Sequence, residues 1–181
     1  MRAWVVAGTV ALGVLATTGR AEAQARRGWG FYGAVSGGYG ISLAAGSGNG
    51  VIVAGFDHGG MVHAALGAGT GIGRSSEVAI AYDFQAFVNK DSIIHNHTIG
   101  VVWMPGMFML RTGIGGAVWN VFGTDFVAGG LGVTTAFGGA FPVGKGVRIV
   151  LEVPVTANLF FKNSSLLENA SLGLQLGVSY L

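Results

Sequence analysis

Large apolar residues occupy every second position in the last segment of the chain, from Leu172 to Tyr180. The residues between them are small or polar, so one face of the segment is apolar and the other is not. An alternation with a period of two predicts a β-strand, because successive side chains of a strand point to opposite faces. An aromatic residue such as Tyr180 at the end of the apolar face is typical of strands that cross a membrane in a barrel.

The same alternation predicts eight strands, each close to the ~10 residues that a tilted transmembrane strand requires. The predicted strands are Trp29 to Ile41, Met61 to Ile72, Glu77 to Val88, Ile94 to Met104, Met107 to Val118, Phe126 to Phe141, Val147 to Phe161 and Ala170 to Leu181. We therefore predict an all-β fold, an eight-stranded antiparallel up-and-down transmembrane β-barrel.

The seventh predicted strand assigns side chains to the two faces most clearly. Leu151 and the apolar residues in phase with it should face lipid, whereas Arg148 and Glu152 should face the lumen. By the same argument, Asp83 in the third predicted strand should face the lumen. Pro154 cannot donate a ladder hydrogen bond, so we expect a bulge there.

The connections predict that both chain ends lie on one side of the membrane. Those after the second, fourth and sixth strands are short and rich in turn residues, as periplasmic turns are. Of the other four, only the connection from Ser42 to Gly60 is long, and its Gly, Ser and Asn content predicts a mobile external loop.

Composition supports a barrel over a helical membrane protein. Hydrophobic residues make up 51% of the chain, charged residues 10%, and the mean hydropathy is +0.59. Beyond residue 28, however, no uninterrupted apolar run reaches the ~18 residues of a membrane helix. A closed barrel is the remaining structure that pairs every backbone group in lipid. The 34 glycines fit its narrow lumen and bends.

The first 25 residues resemble a secretory signal peptide. Arg2 precedes an apolar core from Trp4 to Ala16, and small residues at 21–23 or 23–25 offer a cleavage site. We therefore divide the chain into a signal peptide, 1–25, and a barrel domain, 26–181; an uncleaved N-terminal anchor is the alternative. The chain has no cysteine, which excludes a lipoprotein and disulfides. Its net charge of +2 gives no basic patch for nucleic acid.

Aromatic residues predict two girdles at the membrane boundaries, where amphipathic rings are favoured. The periplasmic girdle is predicted from Trp29, Trp103, Phe108, Phe141 and Tyr180, and the external one from Tyr39, Phe126 and Phe161.

On these features the chain resembles the small eight-stranded bacterial outer-membrane barrels of the OmpA/OmpX type over residues 29–181. Its last strand carries Ser171-x-Gly173-x-x-Leu176-x-Val178, similar to the signal that the barrel assembly machinery recognises, although the chain ends in Leu181. The resemblance implies residence in the bacterial outer membrane. It also implies contacts with outer-membrane lipids and with the assembly machinery, and a monomer. Nothing follows the last strand, so we expect no periplasmic domain.

Charged residues at inward positions predict a charge network in the lumen. Its members are Asp83, Arg111, Arg148 and Glu152. Because unpaired buried ions are costly, a structural network is the favoured interpretation, and a proton or solute path is the alternative.

No catalytic residue, cofactor or metal site is predicted. Outer-membrane lipid A deacylases, the relevant enzymes, use a His-x-Ser pair with a Glu partner. Here His95 and His97 lack that serine, and Glu168 is the acidic residue at a comparable height. Metal binding by His95, His97, His58 or His63 is a weaker alternative.

Three classes of function remain. A structural or envelope-integrity barrel with a lumen filled by side chains is favoured, because about eight strands leave just enough interior for side chains. A surface binding or adhesion protein is the second class. A narrow pore or lipid A-modifying enzyme is the third.

Overall fold

The structure, a computed structural model, describes residues 28–48, 51–72, 76–162 and 165–181. The predicted signal peptide lies outside the described residues. Within them, no helix is long and apolar enough to cross a membrane.

Eight strands account for nearly all of the described residues. They are β1 (Gly30–Gly48), β2 (Val51–Ile72), β3 (Ser76–Val88), β4 (Ser92–Pro105), β5 (Phe108–Val121), β6 (Val127–Pro142), β7 (Val147–Lys162) and β8 (Ser165–Tyr180). Each predicted strand therefore corresponds to one observed strand, with ends that differ by a few residues in most cases.

The strands form one closed antiparallel barrel in sequence order. Each strand pairs with the next, and β1 closes the barrel by pairing with β8. The predicted fold class is thereby confirmed. Closure leaves no sheet edge within the closed part, so the backbone groups there are paired without water, as lipid requires.

The strands are strongly tilted. Successive ladder partners lead from Ala34 around all eight strands and return to β1 at Ala44, ten residues further along. With strands ~4.8 Å apart and a rise of ~3.3 Å per residue, this stagger corresponds to a tilt of roughly 40°. Residues far apart in sequence are thereby brought to one level in the lumen.

Alternation along the strands separates an apolar exterior from a lumen of mixed polarity. On β7, Leu151 is 43% exposed and its neighbour Glu152 is 1% exposed. The outward residues exposed in the isolated chain are mainly Leu, Ile, Val and Phe, and such a surface is matched to lipid rather than to water. The predicted assignment of faces on β7 agrees with this burial.

Two local expectations were wrong. The connection from Ser42 to Gly60 is largely strand, because β1 continues to Gly48 and β2 begins at Val51, with both pairing as a ladder. Pro154 also causes no bulge. The β7–β8 register is the same on both sides of it, and only the pairs at 153 and 154 are missing.

At the end of the barrel that is predicted to face the periplasm, and is called the periplasmic end here, the β4–β5 and β6–β7 turns contain glycines with left-handed backbone. Gly106, between β4 and β5, has a φ of 65°, and Gly146, before β7, has a φ of 72°. Such left-handed backbone favours glycine. Because these turns are short, they project little beyond the periplasmic ends of the strands.

The predicted girdle residues differ in position. Five of them are exposed on the outer face. Four lie near the periplasmic end, Trp29, Trp103, Phe108 and Phe141, and the fifth, Phe161, lies at the other end. Tyr180 is half-buried, with its ring centre 6.4 Å from that of Phe31. Tyr39 is exposed but lies midway along β1, since the strand runs beyond its predicted end. Phe126 is not on the outer face: it packs against the buried cluster at the external mouth.

Candidate functional site in the barrel lumen

The periplasmic third of the lumen is filled by apolar side chains. Tyr32, Val102, Met104, Met109 and Val150 are all buried there among small alanines, and Leu181 packs against them. The alanines leave space for the long methionine and tyrosine side chains, in keeping with the dense packing of protein interiors. This apolar plug closes the barrel from below.

A cluster of ion pairs lies directly above the plug. Nη1 of Arg111 is 2.8 Å from Oδ1 of Asp83, and Nη2 is 3.2 Å from Oε2 of Glu152. The side chains of all three are at most 2% exposed. Arg111 on β5 thus bridges carboxylates on β3 and β7, from opposite walls of the lumen.

His63 and Ser36 complete this central cluster. Nε2 of His63 is 2.6 Å from Oδ1 of Asp83, and its Nδ1 is 3.5 Å from Oε1 of Glu152. The Ser36 hydroxyl donates a hydrogen bond of 2.6 Å to the same Oε1. Glu152 therefore has three partners, and Asp83 has two, both on Oδ1, while its buried Oδ2 has none among the described residues. These contacts offset part of the high cost of burying the two charges.

The lumen position of His63 was not predicted, although the alternation along β2 indicates it. Met61, His63 and Ala65 are buried, while Val62 and Leu66 between and beyond them are exposed. Continuing the alternation of β2 would have placed His63 inward. It was considered only as a possible metal ligand.

Arg148 does not join the central cluster. Its Nη2 is 2.7 Å from Oε1 of Glu77, and the two side chains are 16% and 26% exposed. The pair lies near the periplasmic ends of β7 and β3. The structure therefore brings together Asp83, Arg111 and Glu152 and leaves the fourth predicted network residue in a separate, partly exposed pair.

Hydrogen-bonding side chains occupy the lumen above the central cluster. Thr156 and Ser171 are 2.6 Å apart, and the amide of Asn169 donates to Ser42 at 2.6 Å. Between this layer and the external rim lies a cavity of about 380 Å³, lined by Ile94, Trp119 and Leu167 among others. The barrel is thus open at its external mouth and filled at the levels of the central cluster and the apolar plug.

The central cluster contains a serine, a histidine and an aspartate, but not in an arrangement suited to catalysis. The Ser36 hydroxyl donates to Glu152 at 2.6 Å, and its oxygen is 3.3 Å from Nδ1 of His63. The adjoining void of about 10 Å³ is close to the minimum for one water. A nucleophile needs space beside it for a substrate carbonyl, and this void is too small for one.

The structure does not bring the candidate histidines and Glu168 together. His95 and His97 lie on the outward-facing side of β4, whereas Glu168 is exposed on β8. In the closed strand order β4 and β8 are on opposite sides of the barrel. Among the described residues no group of three or more His, Cys, Asp and Glu side chains could hold a metal ion.

The features together define an outer-membrane type of β-barrel. The even number of antiparallel strands, the apolar exterior, the aromatic residues near its lower boundary and the charged lumen are the marks of that class.

Solved structures with similar architecture are small outer-membrane proteins. NspA, the Neisserial surface protein A, is 17% identical with a TM-score of 0.48, and the match covers 85% of this chain and 99% of that chain. Ail, the attachment invasion locus protein of Yersinia pestis, is 10% identical with a TM-score of 0.42, covering 81% and 98%. OprG from Pseudomonas aeruginosa is 9% identical with a TM-score of 0.37, covering 82% and 95%. No family model and no curated protein matches the chain.

Proposed function

We propose that this protein is a structural barrel of the bacterial outer membrane that contributes to envelope integrity and does not conduct solutes. The observation that carries the proposal is the closure of its lumen. The central cluster spans the interior, and the apolar plug fills the space below it. A barrel closed at two successive levels adds a rigid wall to the membrane without adding a path through it.

The location follows from the exterior of the barrel. Its outward apolar band would be costly in water and is suited to acyl chains. Contact with outer-membrane lipids along this band, insertion through recognition of β8 by the assembly machinery, and a monomeric state belong to the same proposal. Export would be accompanied by cleavage near residue 23 or 25, which N-terminal sequencing of the protein from the outer-membrane fraction would detect.

Conductance tests the closed lumen. The mature chain, refolded and added to a planar bilayer, is expected to give no discrete current steps. Stable single-channel steps from the parent protein would contradict the proposal and favour a narrow pore.

Envelope permeability tests the role. A strain lacking the gene should take up more of a hydrophobic dye that the intact outer membrane excludes, and the parent chain should restore exclusion. Unchanged dye uptake in the deletion strain would contradict a role in envelope integrity.

A surface-binding function is the second candidate, supported by the length of the β1–β2 hairpin. The topmost β2–β3 pair joins Gly60 to Val88, so residues 51–59 of β2 continue past the end of β3. Phe56 on this part of β2 is 63% exposed. A projecting strand with an unpaired edge offers backbone groups to another extended chain.

A hairpin variant separates the two candidates. Replacing residues 45–54 by Asn-Gly leaves Ala44 facing Gly55 across a two-residue turn. If the role is structural, this variant should exclude the dye as well as the parent does. A variant that still excludes the dye but no longer lets cells attach to a surface colonised by the parent strain would favour binding.

A further inference from the structure

Two histidines lie side by side on the outward-facing side of β4, where the neighbouring positions are apolar. Ile99 and Val101, on the same face, are 67% and 44% exposed. His95 and His97 continue this face toward the external end of the strand. Ionisable side chains on a membrane-facing surface are rare and costly, and they commonly have a function.

The two imidazoles are close enough to act as a pair. Nδ1 of His95 is 2.9 Å from Nε2 of His97, and the rings are nearly perpendicular at 84°. Phe84 on β3 packs beside both, with ring centres 6.0 Å and 5.3 Å away. This packing restricts the two rings to their present relative position.

Tyr82 fixes the orientation of His97. Its hydroxyl is hydrogen-bonded to Nδ1 of His97. When Nδ1–H donates to the tyrosine oxygen, Nε2 carries a lone pair, and in the metal-free protein this lone pair accepts a hydrogen bond from Nδ1–H of His95. Histidines that bind metals commonly use their second nitrogen for such a bond, which sets the tautomer and the ring orientation.

The nitrogen separation matches one coordination geometry. With metal–nitrogen bonds of ~2.0–2.1 Å, two ligands at a right angle are about 2.9 Å apart, and two tetrahedral ligands about 3.4 Å apart. The observed 2.9 Å is the length of a hydrogen bond between the two rings, and it equals the edge of a square or octahedral site in which a metal ion would take the place of the shared proton. Nitrogen and oxygen ligands in tetragonal geometry are typical of Cu²⁺ and Ni²⁺.

The site lies at a level that water can reach. His95 is three residues from Ser92, where β4 begins at the external end. At ~3.3 Å per residue and a tilt of roughly 40°, His95 is about 8 Å below that end of the strand. Water can then supply the remaining ligands.

We propose that His95 and His97 bind a divalent transition-metal ion, with Cu²⁺ preferred, on the outer face of the barrel at the external membrane boundary. His95 contributes Nδ1 and His97 contributes Nε2. Tyr82 is a positioning residue that holds the His97 ring. This site is separate from the lumen and does not depend on the structural role proposed above.

The test uses the mature chain without an affinity tag, refolded in maltoside micelles and titrated with Cu²⁺ by calorimetry and electron paramagnetic resonance. We expect one Cu²⁺ per chain, with a spectrum showing two nitrogen ligands. His95→Gln and His97→Gln should each weaken binding by ~10-fold or more and remove one nitrogen from the spectrum. Tyr82→Phe should weaken binding by about 10- to 100-fold. Following the ordinary order of metal affinities, Cu²⁺ should bind more tightly than Ni²⁺ or Zn²⁺.

His58→Gln is the matched control. His58 is also on the outer face and is hydrogen-bonded to a tyrosine, Tyr39, so it resembles His97 in its surroundings. Its substitution should leave Cu²⁺ binding unchanged. All variants should fold, as checked by electrophoresis with and without heating. The proposal is overturned if the parent binds no stoichiometric Cu²⁺, if His95→Gln retains the parent's affinity, or if His58→Gln reduces binding equally.

Discussion

Arg111 holds two carboxylates that would otherwise face each other in a buried space. Asp83 and Glu152 both contact its guanidinium, and their side chains are at most 1% exposed. The contribution of Arg111 to stability therefore depends mainly on the two buried carboxylates that its removal would leave without a cation. Removing one partner of a buried ion pair is far more costly than removing an exposed pair.

Arg111→Met should lower the free energy of unfolding by about 3–5 kcal/mol, because two buried carboxylates lose their cation. Arg148→Met is the matched control: its pair with Glu77 is partly exposed, so the loss should be on the order of 1 kcal/mol or less. Urea unfolding of protein refolded into vesicles measures both. Adding Glu152→Gln to Arg111→Met should recover part of the loss. Equal losses in the two single variants would show that the central cluster has no special role.

The cost of introducing a charge should depend on depth in the membrane, and two otherwise similar leucines allow a comparison. Leu151 and Leu159 are on the outer face of β7 and are each 43% exposed. Eight residues of tilted strand place Leu159 about 20 Å higher than Leu151, close to the external boundary. Leu151→Arg should cost about 2–4 kcal/mol and Leu159→Arg about 0–1 kcal/mol, measured by the same unfolding experiment. A tolerated Leu151→Arg would mean that this face does not contact hydrocarbon.

At the scale of the elements, the glycines of β6 illustrate how neighbouring strands fit together. A Cβ added at Gly132 would lie 2.2 Å from Oδ1 of Asn96 and 2.6 Å from Oδ1 of Asn158. A Cβ at Gly129 on the same strand would meet nothing within 4 Å. Gly132 thus makes room for side chains from β4 and β7, while Gly129 has open space.

Gly132→Ala should lower the free energy of unfolding by about 1–3 kcal/mol through overpacking of the lumen. Gly129→Ala should be neutral or stabilising by up to about 1 kcal/mol, because it restricts the unfolded chain. Asn158→Ala in the Gly132→Ala background should restore part of the stability. A loss at Gly129 equal to that at Gly132 would contradict the inward assignment of this layer.

The sequence of β8 fits both the membrane on its outer face and the lumen on its inner face. Its outward residues, including Leu172, Leu174 and Leu176, are exposed to the membrane, while Gln175 is fully buried in the lumen. The strand also closes the barrel by pairing with β1 and β7. The recognition of its terminal residues by the assembly machinery stays a prediction.

For the molecule as a whole, closure predicts unusual resistance to unfolding. Every strand is paired on both sides, so no strand can separate without breaking two ladders. In sodium dodecyl sulfate, unheated protein should remain folded and migrate differently from heated protein. Its circular dichroism should show β-structure until heating. Identical migration before and after heating, or a soluble monomer without detergent, would contradict a closed transmembrane barrel.

The lumen is organised in levels along the barrel axis. The apolar plug, the central cluster, the hydrogen-bonding layer and the external cavity follow one another from the periplasmic to the external end. This order supports the proposed structural role, since the filled levels are the lower ones. The external cavity, at the opposite end from the plug, gives other molecules access to the lumen.

The sequence by itself determined the number of strands and the face on which most residues lie. Alternation is a local property, because each side chain points opposite to its chain neighbour whatever the rest of the fold does. Leu151 and Glu152 could therefore be assigned to opposite faces without a structure. Apolar composition and the absence of a helix-length apolar run led to a closed barrel.

Only the tertiary structure decided which lumen residues meet. The stagger that brings Arg111 to Asp83 and Glu152 is the sum of the offsets at the four strand pairs from β3 to β7, and closure of the barrel turns these strands toward one lumen. No single segment encodes either property. For the same reason Arg148 was expected in the network but pairs with Glu77, and the extension of β1 and β2 was mistaken for a loop. Contacts across a barrel depend on register and closure, which are properties of the assembled sheet.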